Sequence, residues 1–236
     1  MSAALTPDAF LSERMGRPAF TLHAPEPGAI AEMALPAAPA FVTAKVPAAD
    51  TPRLCALQAR GFRVVDTALT FEAPGRAETP PSGIRAARPQ DREAVTDIAR
   101  KAFRFTRFHL DPEIDDHVAA RIKADWAGNY FAGRRGDGML LAEGPAGGAA
   151  GFLLFLRDAE ARLTIDLIAV APDMAGRGLG RALVAAAFAD RTGGAPPSGL
   201  LVGTQAANTP SCRLYEACGF RLARAAYVLH HHGLPA

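Results

Sequence analysis

Cysteine is scarce in this 236-residue chain. Its three thiols, Cys55, Cys212 and Cys218, form an odd set without metal-ligand spacing, which fits a reducing compartment better than a disulfide framework. All three are expected as buried structural thiols. A surplus of one charge is also missing, since 26 lysines and arginines face 24 aspartates and glutamates. No strong field therefore draws the molecule to nucleic acid or to an anionic membrane, and any phosphate must be held locally. Long hydrophobic runs are absent too: "MSAALTPDAFLSERMGR" has no signal-peptide core, and no later segment stays apolar long enough to span a bilayer. A cytoplasmic location is the expectation. The terminal "HHHGLPA" holds only three consecutive histidines and reads as a surface tail. What the chain does have is apolar residues, 49% of the total, enough for one large core or two small ones.

A proline- and glycine-punctuated stretch, "EAPGRAETPPSGIRAAR", breaks the periodicity and places a linker at about residues 73 to 82. Before it, "PAFVTAKV" reads as a strand, "DTPRLCALQARG" as a capped helix and "FRVVDTALTFE" as a long alternating strand. After it come the strand "GIRAAR" and the helices "QDREAVTDIARKAF" and "DDHVAARIKADWAGNYF". The segments "GMLLAEG", "AAGFLLFLRD" and "RLTIDLIAV" form a meander. A helix from about Leu179, the strand "GLLVGTQ", a short helix "TPSCRLYEACG" and the strand "FRLARAAYVLHH" complete the order. Strands alternating with helices define an α/β layered fold. Placing Gly61 beneath Gly219 aligns "RLCALQARGFRVVDTALTF" with "SCRLYEACGFRLARAAYVL", each a helix, a Gly-Phe-Arg corner and a long strand. The match is one segment long, and chance remains an alternative to a repeat. A repeat would make the first 75 residues a truncated relative of the second domain. That half has no glycine loop and carries Leu57 where the second has Tyr215, so its expected job is packing and pocket shaping rather than catalysis.

The stretch "VAPDMAGRGLGRALVAAAF" sets Gly176, Gly178 and Gly180 at alternate positions before an apolar helix. The first amides of a helix lack internal partners and carry the positive end of its dipole, so they attract anions. Glycines remove the Cβ atoms and allow the positive φ values that turn N–H groups into one concavity. A pyrophosphate cradle is one reading, and a glycine-rich turn tightening a strand-to-helix connection is the other. The loop lacks the Lys-Ser/Thr ending of a nucleotide triphosphate-binding P-loop, and no β-α-β unit with an acidic ribose partner follows it.

"IDLIAVAPDMAGRGLGRALV" followed by "TQAANTPSCRLYEACGF" resembles the coenzyme loop and the asparagine-to-tyrosine helix of the GNAT N-acetyltransferase superfamily, over about residues 83 to 231. The resemblance implies a central mixed, mostly antiparallel twisted sheet flanked by helices. It makes residues 83–236 the catalytic domain and 1–75 a smaller, truncated GNAT-like accessory domain. It also implies acetyl-CoA as co-substrate, no metal, and amides around Gly176, Arg177, Gly178, Leu179 and Gly180 holding the coenzyme A pyrophosphate. Ala175 departs from the glutamine or arginine usual there and removes one side-chain contribution. "KAFRFTRFHLDP", the Asp125-Trp126 pair and "GTQAANT" are similar to members that acetylate the amino group of a nucleotide-linked deoxysugar.

Acetyl transfer needs a neutral amine, a polarised thioester carbonyl and a proton for the thiolate. By the resemblance, Tyr215 gives that proton; core packing is its other reading. Asp166 sits mid-strand, where many family members carry a glutamate that takes the amine proton; alternatively it lies on a solvent face and pairs with an arginine. By the resemblance, Ile168, Ala169 and Val170 contact the cofactor, and a bulge in their strand would free the amide of Ile168 or Ala169 to polarise the acetyl carbonyl. Asn208 either contacts the coenzyme arm or caps its helix, where Pro210 suits the first turn. Neither Cys212 nor Cys218 has an adjacent histidine, which favours direct transfer over an acyl-cysteine route. For the acceptor, Arg107 and His109 suit a diphosphate or hydroxyls, and Phe105 and Phe108 a ring; an ordinary loop is the alternative.

Three functions stay distinct: an N-acetyltransferase for a small amine such as a nucleotide-linked aminosugar, a peptide or protein N-acetyltransferase, and a silent acyl-CoA-binding module. No nucleic-acid or membrane partner is expected, and a homodimer stays open.

Overall fold

The computed structural model describes residues 5–23, 25–145, 147–190 and 195–233. The amino-terminal part runs β1 (Leu5–Pro7), α1 (Ala9–Met15), β2 (Ala19–Leu22), α2 (Pro27–Glu32), β3 (Ala40–Pro47), α3 (Thr51–Ala59) and β4 (Arg63–Pro74). The remainder runs β5 (Ile84–Ala86), α4 (Arg92–Ala102), α5 (Asp116–Phe131), β6 (Gly138–Glu143), β7 (Ala149–Arg157), β8 (Leu163–Val170), α6 (Leu179–Phe188), β9 (Gly199–Gln205), α7 (Thr209–Ala217) and β10 (Arg221–Gly233). Every strand and helix read from periodicity between residues 39 and 231 is present. The four elements before Met33 were not foreseen, because their 3- to 7-residue lengths are too short for periodicity to register. No helix among the described residues is long and apolar enough to cross a membrane.

All ten strands join one mixed, mostly antiparallel sheet in the order β1-β2-β3-β10-β4-β9-β8-β7-β6-β5. The two halves of the chain interleave. Strand β10 leaves the carboxy-terminal part to pair with β3, while β4 from the amino-terminal part lies between β10 and β9. Apolar side chains on both faces meet α6 and α7 on one side and α4 and α5 on the other; Phe155, Leu183, Phe188 and Leu200 anchor the first layer, and Val95, Leu141, Phe152 and Leu167 the second.

The aligned segments share their local geometry. Helices α3 and α7 are both nine residues long, with proline in the first turn. Asp50 caps the first by accepting from the Arg53 amide, and Asn208 caps the second by accepting from the Ser211 amide. Both end at a glycine with positive φ, +83° at Gly61 and +84° at Gly219, where a Cβ would be strained. Phe62 N–H then donates to the Leu57 carbonyl and Phe220 N–H to that of Tyr215. Ala68 and Ala226, equally far beyond their corner glycines, pair with each other across β4 and β10.

Two expectations are corrected. The histidine run is no surface tail: residues 230 to 233 belong to β10, His230 is 1% exposed, and only 234 to 236 lie outside the described residues. His230 Nδ1 and His232 Nε2 both donate to Asp111 Oδ2, at 2.6 and 2.8 Å. These three groups could hold a metal ion, their ligand atoms lying within 4.8 Å of one another. Arg17 stands 2.6 Å from the remaining nitrogen of His232, however, and a guanidinium there opposes a further cation. The thiols are also not uniformly buried, for Cys55 is exposed, Cys212 half-buried and only Cys218 buried.

Candidate active site

Strands β8 and β9 run parallel and pair only through Leu163–Leu200, Thr164–Leu201 and Ile165–Val202. Beyond that point they part. The cause lies in β8, where Leu154 pairs with Leu167 and Phe155 with Ile165, leaving Asp166 as a bulge residue. A bulge bends its strand and ends regular pairing on that edge. Because Ala171 N–H donates to the Ala150 carbonyl on β7, alternation along β8 turns the Ala169 amide towards β7 and those of Ile168 and Val170 towards the gap. Of the two amides expected to face the thioester, only that of Ile168 therefore does so.

The gap opens into a cleft of about 540 Å³ lined by Ile168, Ala169, Val170, the loop from Met174 to Gly176, Gly178 to Arg181, Gln205, Asn208 and Ser211. Gly176 and Gly178 have φ of +76° and +79°, and a Cβ on either would meet nothing within 4 Å. Gly178 is also the residue before the first turn of α6, so the amides of that turn are presented without an intervening side chain. Gly180 differs from the expectation. It lies inside α6 without positive φ, and a Cβ there would come within 3.2 Å of Leu214 Cδ2, so its smallness serves the packing of α6 against α7. Arg177 is exposed and outside the cleft lining, while Arg181, which the sequence gave no reason to single out, is part of it.

A second cavity of about 240 Å³ adjoins the first, sharing Thr106 and Gln205. Its walls come from both halves of the chain: Lys45, Asp66, Ala68 and Thr70 from the first, and Arg107, Lys123, Trp126, Asp166 and Thr204 from the second. A third, of about 330 Å³, shares Arg107 and Trp126 with the second and carries Arg134 and Arg135 on its rim. Cleft, charged chamber and arginine-bearing cavity thus adjoin one another in series through shared wall residues.

Burial sets the charge states in the chamber. Desolvation pushes Lys123 down to about 8, and its ammonium lies 4.4 Å from the Trp126 ring and 5.3 Å from that of Phe103. Desolvation likewise lowers Arg107, whose Nη1 donates to Thr43 Oγ1 at 3.2 Å. Asp166 is gripped by Arg135 through two hydrogen bonds of 2.5 and 2.6 Å, with the guanidinium also stacked 4.9 Å from Trp126. The arginine partner expected of a solvent-face Asp166 is present, but the side chain is 10% exposed and lines the chamber instead of facing solvent.

The other expected residues are distributed unevenly. Tyr215 is 2% exposed, packed 5.9 Å from Phe71 and 5.8 Å from Phe220, and absent from the cleft lining. Burial pushes its phenol up, opposed by hydrogen bonding to Ser211, which does line the cleft one turn earlier. Asn208 both caps α7 and lines the cleft. Phe108 is buried at 1% and reaches the chamber wall, whereas Phe105 is exposed on the cleft side. His109 is turned away from the cavities, its Nδ1 2.7 Å from Thr106 Oγ1; Thr106 takes the place at their junction. Sequence reasoning missed Asp66, Lys123 and Arg135, which lie on regular strands and helices or turns without a motif.

A splayed parallel strand pair beside a glycine-lined helix start, in a mixed sheet covered by helices, defines an α/β protein with an open cleft between its strands. The Acetyltransferase (GNAT) family profile matches residues 92–220, and the chain belongs to that family. It is 31% identical over 143 residues to the spore coat polysaccharide biosynthesis protein SpsD of Bacillus subtilis, covering 60% of this chain and 48% of that one. It is 28% identical over 193 residues to the dTDP-fucosamine acetyltransferase of Escherichia coli O6:H1, covering 80% of each. Among solved structures, a GCN5-related N-acetyltransferase from Kribbella flavida superposes with a TM-score of 0.61 at 13% identity, over 98% of this chain and 87% of that one. One from Sphaerobacter thermophilus gives 0.56 at 19%, over 84% and 61%. The chain thus spans about half the length of SpsD and under two thirds of the Sphaerobacter protein. These structural likenesses bear on fold alone.

Proposed function

We propose that the chain is an acetyl-CoA-dependent N-acetyltransferase that moves the acetyl group directly to the primary amine of a small acceptor, a nucleotide-linked amino-deoxysugar. The observation that carries this reading is that the glycine-lined cleft and the charged chamber adjoin, with Thr106 and Gln205 lining both. The coenzyme pyrophosphate would lie on the amides around Gly176 and Gly178, and the pantetheine arm between β8 and β9. The Ile168 amide, facing the gap, would donate to the acetyl carbonyl as it becomes an oxyanion. Tyr215, kept neutral by its surroundings, would donate towards the departing sulfur, with Ser211 between it and the cleft.

The acceptor class rests on two supports. A relative aligned over 80% of the chain is named for dTDP-fucosamine, and the outer cavity carries Arg107, Arg134 and Arg135, forked cations suited to phosphate oxygens. The first 75 residues are read as a truncated GNAT-like half, supported by the shared capping, corner and strand geometry of the aligned segments. A screen following CoA release with dTDP-fucosamine, other nucleotide-linked aminosugars, polyamines, amino acids and short peptides tests the reading. Turnover confined to the aminosugar nucleotides is expected; turnover of peptides or polyamines alone would overturn the acceptor, and CoA binding without any turnover would leave a binding module.

A further inference from the structure

We infer that Asp66, supplied by the amino-terminal half of the chain, receives the acceptor's ammonium in the chamber and takes its proton before acetyl transfer. This rests on the acetyltransferase reading and adds to it the residue that prepares the nucleophile.

Asp66 differs from the other buried aspartates. Asp91 is forked by Arg85 at 2.8 and 2.9 Å, Asp111 is held by His230 and His232, and Asp190 meets Arg157 at 2.5 Å. Asp66 is 7% exposed and has no salt bridge among the described residues. A nearly buried carboxylate without an ion-pair partner is costly unless something completes it; the Thr67 amide is the hydrogen-bond donor it has, and Asp66 lines a cavity large enough for a small group. Its place on β4 is also suitable. Ala68, two residues on and on the same face, pairs with Gln205, the residue common to cleft and chamber. An amine on Asp66 therefore sits on the acceptor side of the point where the acetyl group arrives.

The charged groups facing Asp66 are Lys45 on β3, Arg107 in the connection before α5, Lys123 on α5, and Asp166 on β8 with its partner Arg135 from the turn after α5, with Arg224 of β10 beyond Lys45. Desolvation raises the Asp66 carboxyl to about 6, against the Thr67 amide, Lys45 and Arg107, which lower it. At neutral pH it is thus ionised and more basic than an ordinary carboxylate near 3.9. Asp166, by contrast, is already ion-paired, both its oxygens accepting from Arg135.

The step balances. The ammonium R–NH3+ gives one proton to the Asp66 carboxylate, and the freed lone pair attacks the thioester carbon. The C–N bond forms, the C–S bond breaks with its electron pair going to sulfur, and the second amine proton is lost as the amide forms while the thiolate gains one. Asp66 returns its proton to solvent.

The test uses the full chain with aspartate Cγ carbons labelled with 13C, the Asp66 resonance being assigned by its loss in Asp66→Glu. A midpoint near 6 is expected, falling by about one unit when saturating ethylammonium or dTDP-fucosamine places a cation beside it. Ethylammonium needs only the amine pocket, so its response is independent of whether the nucleotide sugar is the acceptor. A midpoint near 4, or one indifferent to ethylammonium, would overturn the inference. In kinetics with whichever amine turns over, kcat/KM should rise with pH through about 6. Asp66→Asn should lose that limb and about 100-fold in rate, Asp66→Glu should recover part of it, and the Kd for CoA should stay within twofold. An Asp66→Asn enzyme that keeps both rate and pH limb makes the carboxylate a mere counter-charge to Lys45. If that variant does not fold, the titration decides.

Discussion

The glycine loop lends itself to a prediction in which fold and ligand effects separate. Gly178 has φ +79° and open space around its missing Cβ. Alanine there meets no atom of the protein, so its cost in stability is the backbone strain of a left-handed residue alone, about 1–2 kcal/mol. In a chain of this length, each kcal/mol moves Tm by about 2–4 °C, and a fall of about 2–8 °C is expected. Gly133, in the turn after α5, provides the control. It has φ +65°, equally open space and no place in the cleft, so Gly133→Ala should cost the same.

The two variants should part company when CoA is added. At position 178 the new methyl enters the space the pyrophosphate would occupy, and affinity should fall ten- to a hundredfold, about 1.4–3 kcal/mol. Calorimetric titration gives Kd, and melting with and without CoA gives the ligand-linked stabilisation, which should shrink for Gly178→Ala and persist for Gly133→Ala. Equal CoA affinity in the two folded variants would refute the loop as the pyrophosphate site.

Tyr215→Phe should lower turnover about 100-fold with CoA affinity unchanged; an undiminished maximal rate in steady-state assays would reduce Tyr215 to a packing residue. His230, buried beside Asp111, is held neutral down to about 4, while the unfolded chain protonates near 6.5. Stability from this group is therefore full above about 6.5 and lost as pH falls towards 4, by at most about 3 kcal/mol. Asp111, held well below its ordinary value, adds a further loss below about 4; urea melts at pH 7.0 and 4.5 on wild type and His230→Gln should show the first slope only in the wild type. Arg135→Met strands the Asp166 carboxylate, whose side chain is 10% exposed, and should destabilise by about 1–3 kcal/mol after allowance for the partly exposed guanidinium; double-mutant melts with Asp166→Asn should recover most of that loss.

Local order was legible because it is written locally. Alternating apolar residues fixed β3, β4 and β6 to β10, and Asp50, Asn208 and the corner glycines marked helix ends that the structure reproduces. The loop before α6 was legible as a loop because Gly176 and Gly178 announce the positive φ values that the structure shows, +76° and +79°. Partner choice between strands was not, because nothing in "FRVVDTALTFE" says that it will pair with residues 199–205 on one side and 221–230 on the other. That hid the chamber. Asp66 reads as one polar position in an alternating strand, and Lys123 as one charge on a helix face; only long-range pairing gives them a common wall. The histidines of β10 were misread for the same reason, since their partner Asp111 lies more than a hundred residues away.

The interleaving also constrains how specificity could change in such a fold. Ala68 and Ala226 pair at equivalent points of the two aligned segments, which places a local two-fold relation between β4 and β10, and β4 in turn lies beside β9. One wall of the chamber is thus made by the half that has no glycine loop, through Lys45, Asp66, Ala68 and Thr70. The glycine-lined cleft draws on β8, α6 and α7 of the other half. If the chamber receives the acceptor and the cleft the coenzyme, as proposed, substitutions on β3 and β4 should change the choice of acceptor without altering the loop at Gly176 and Gly178, whereas changes in that loop should act on every acceptor alike.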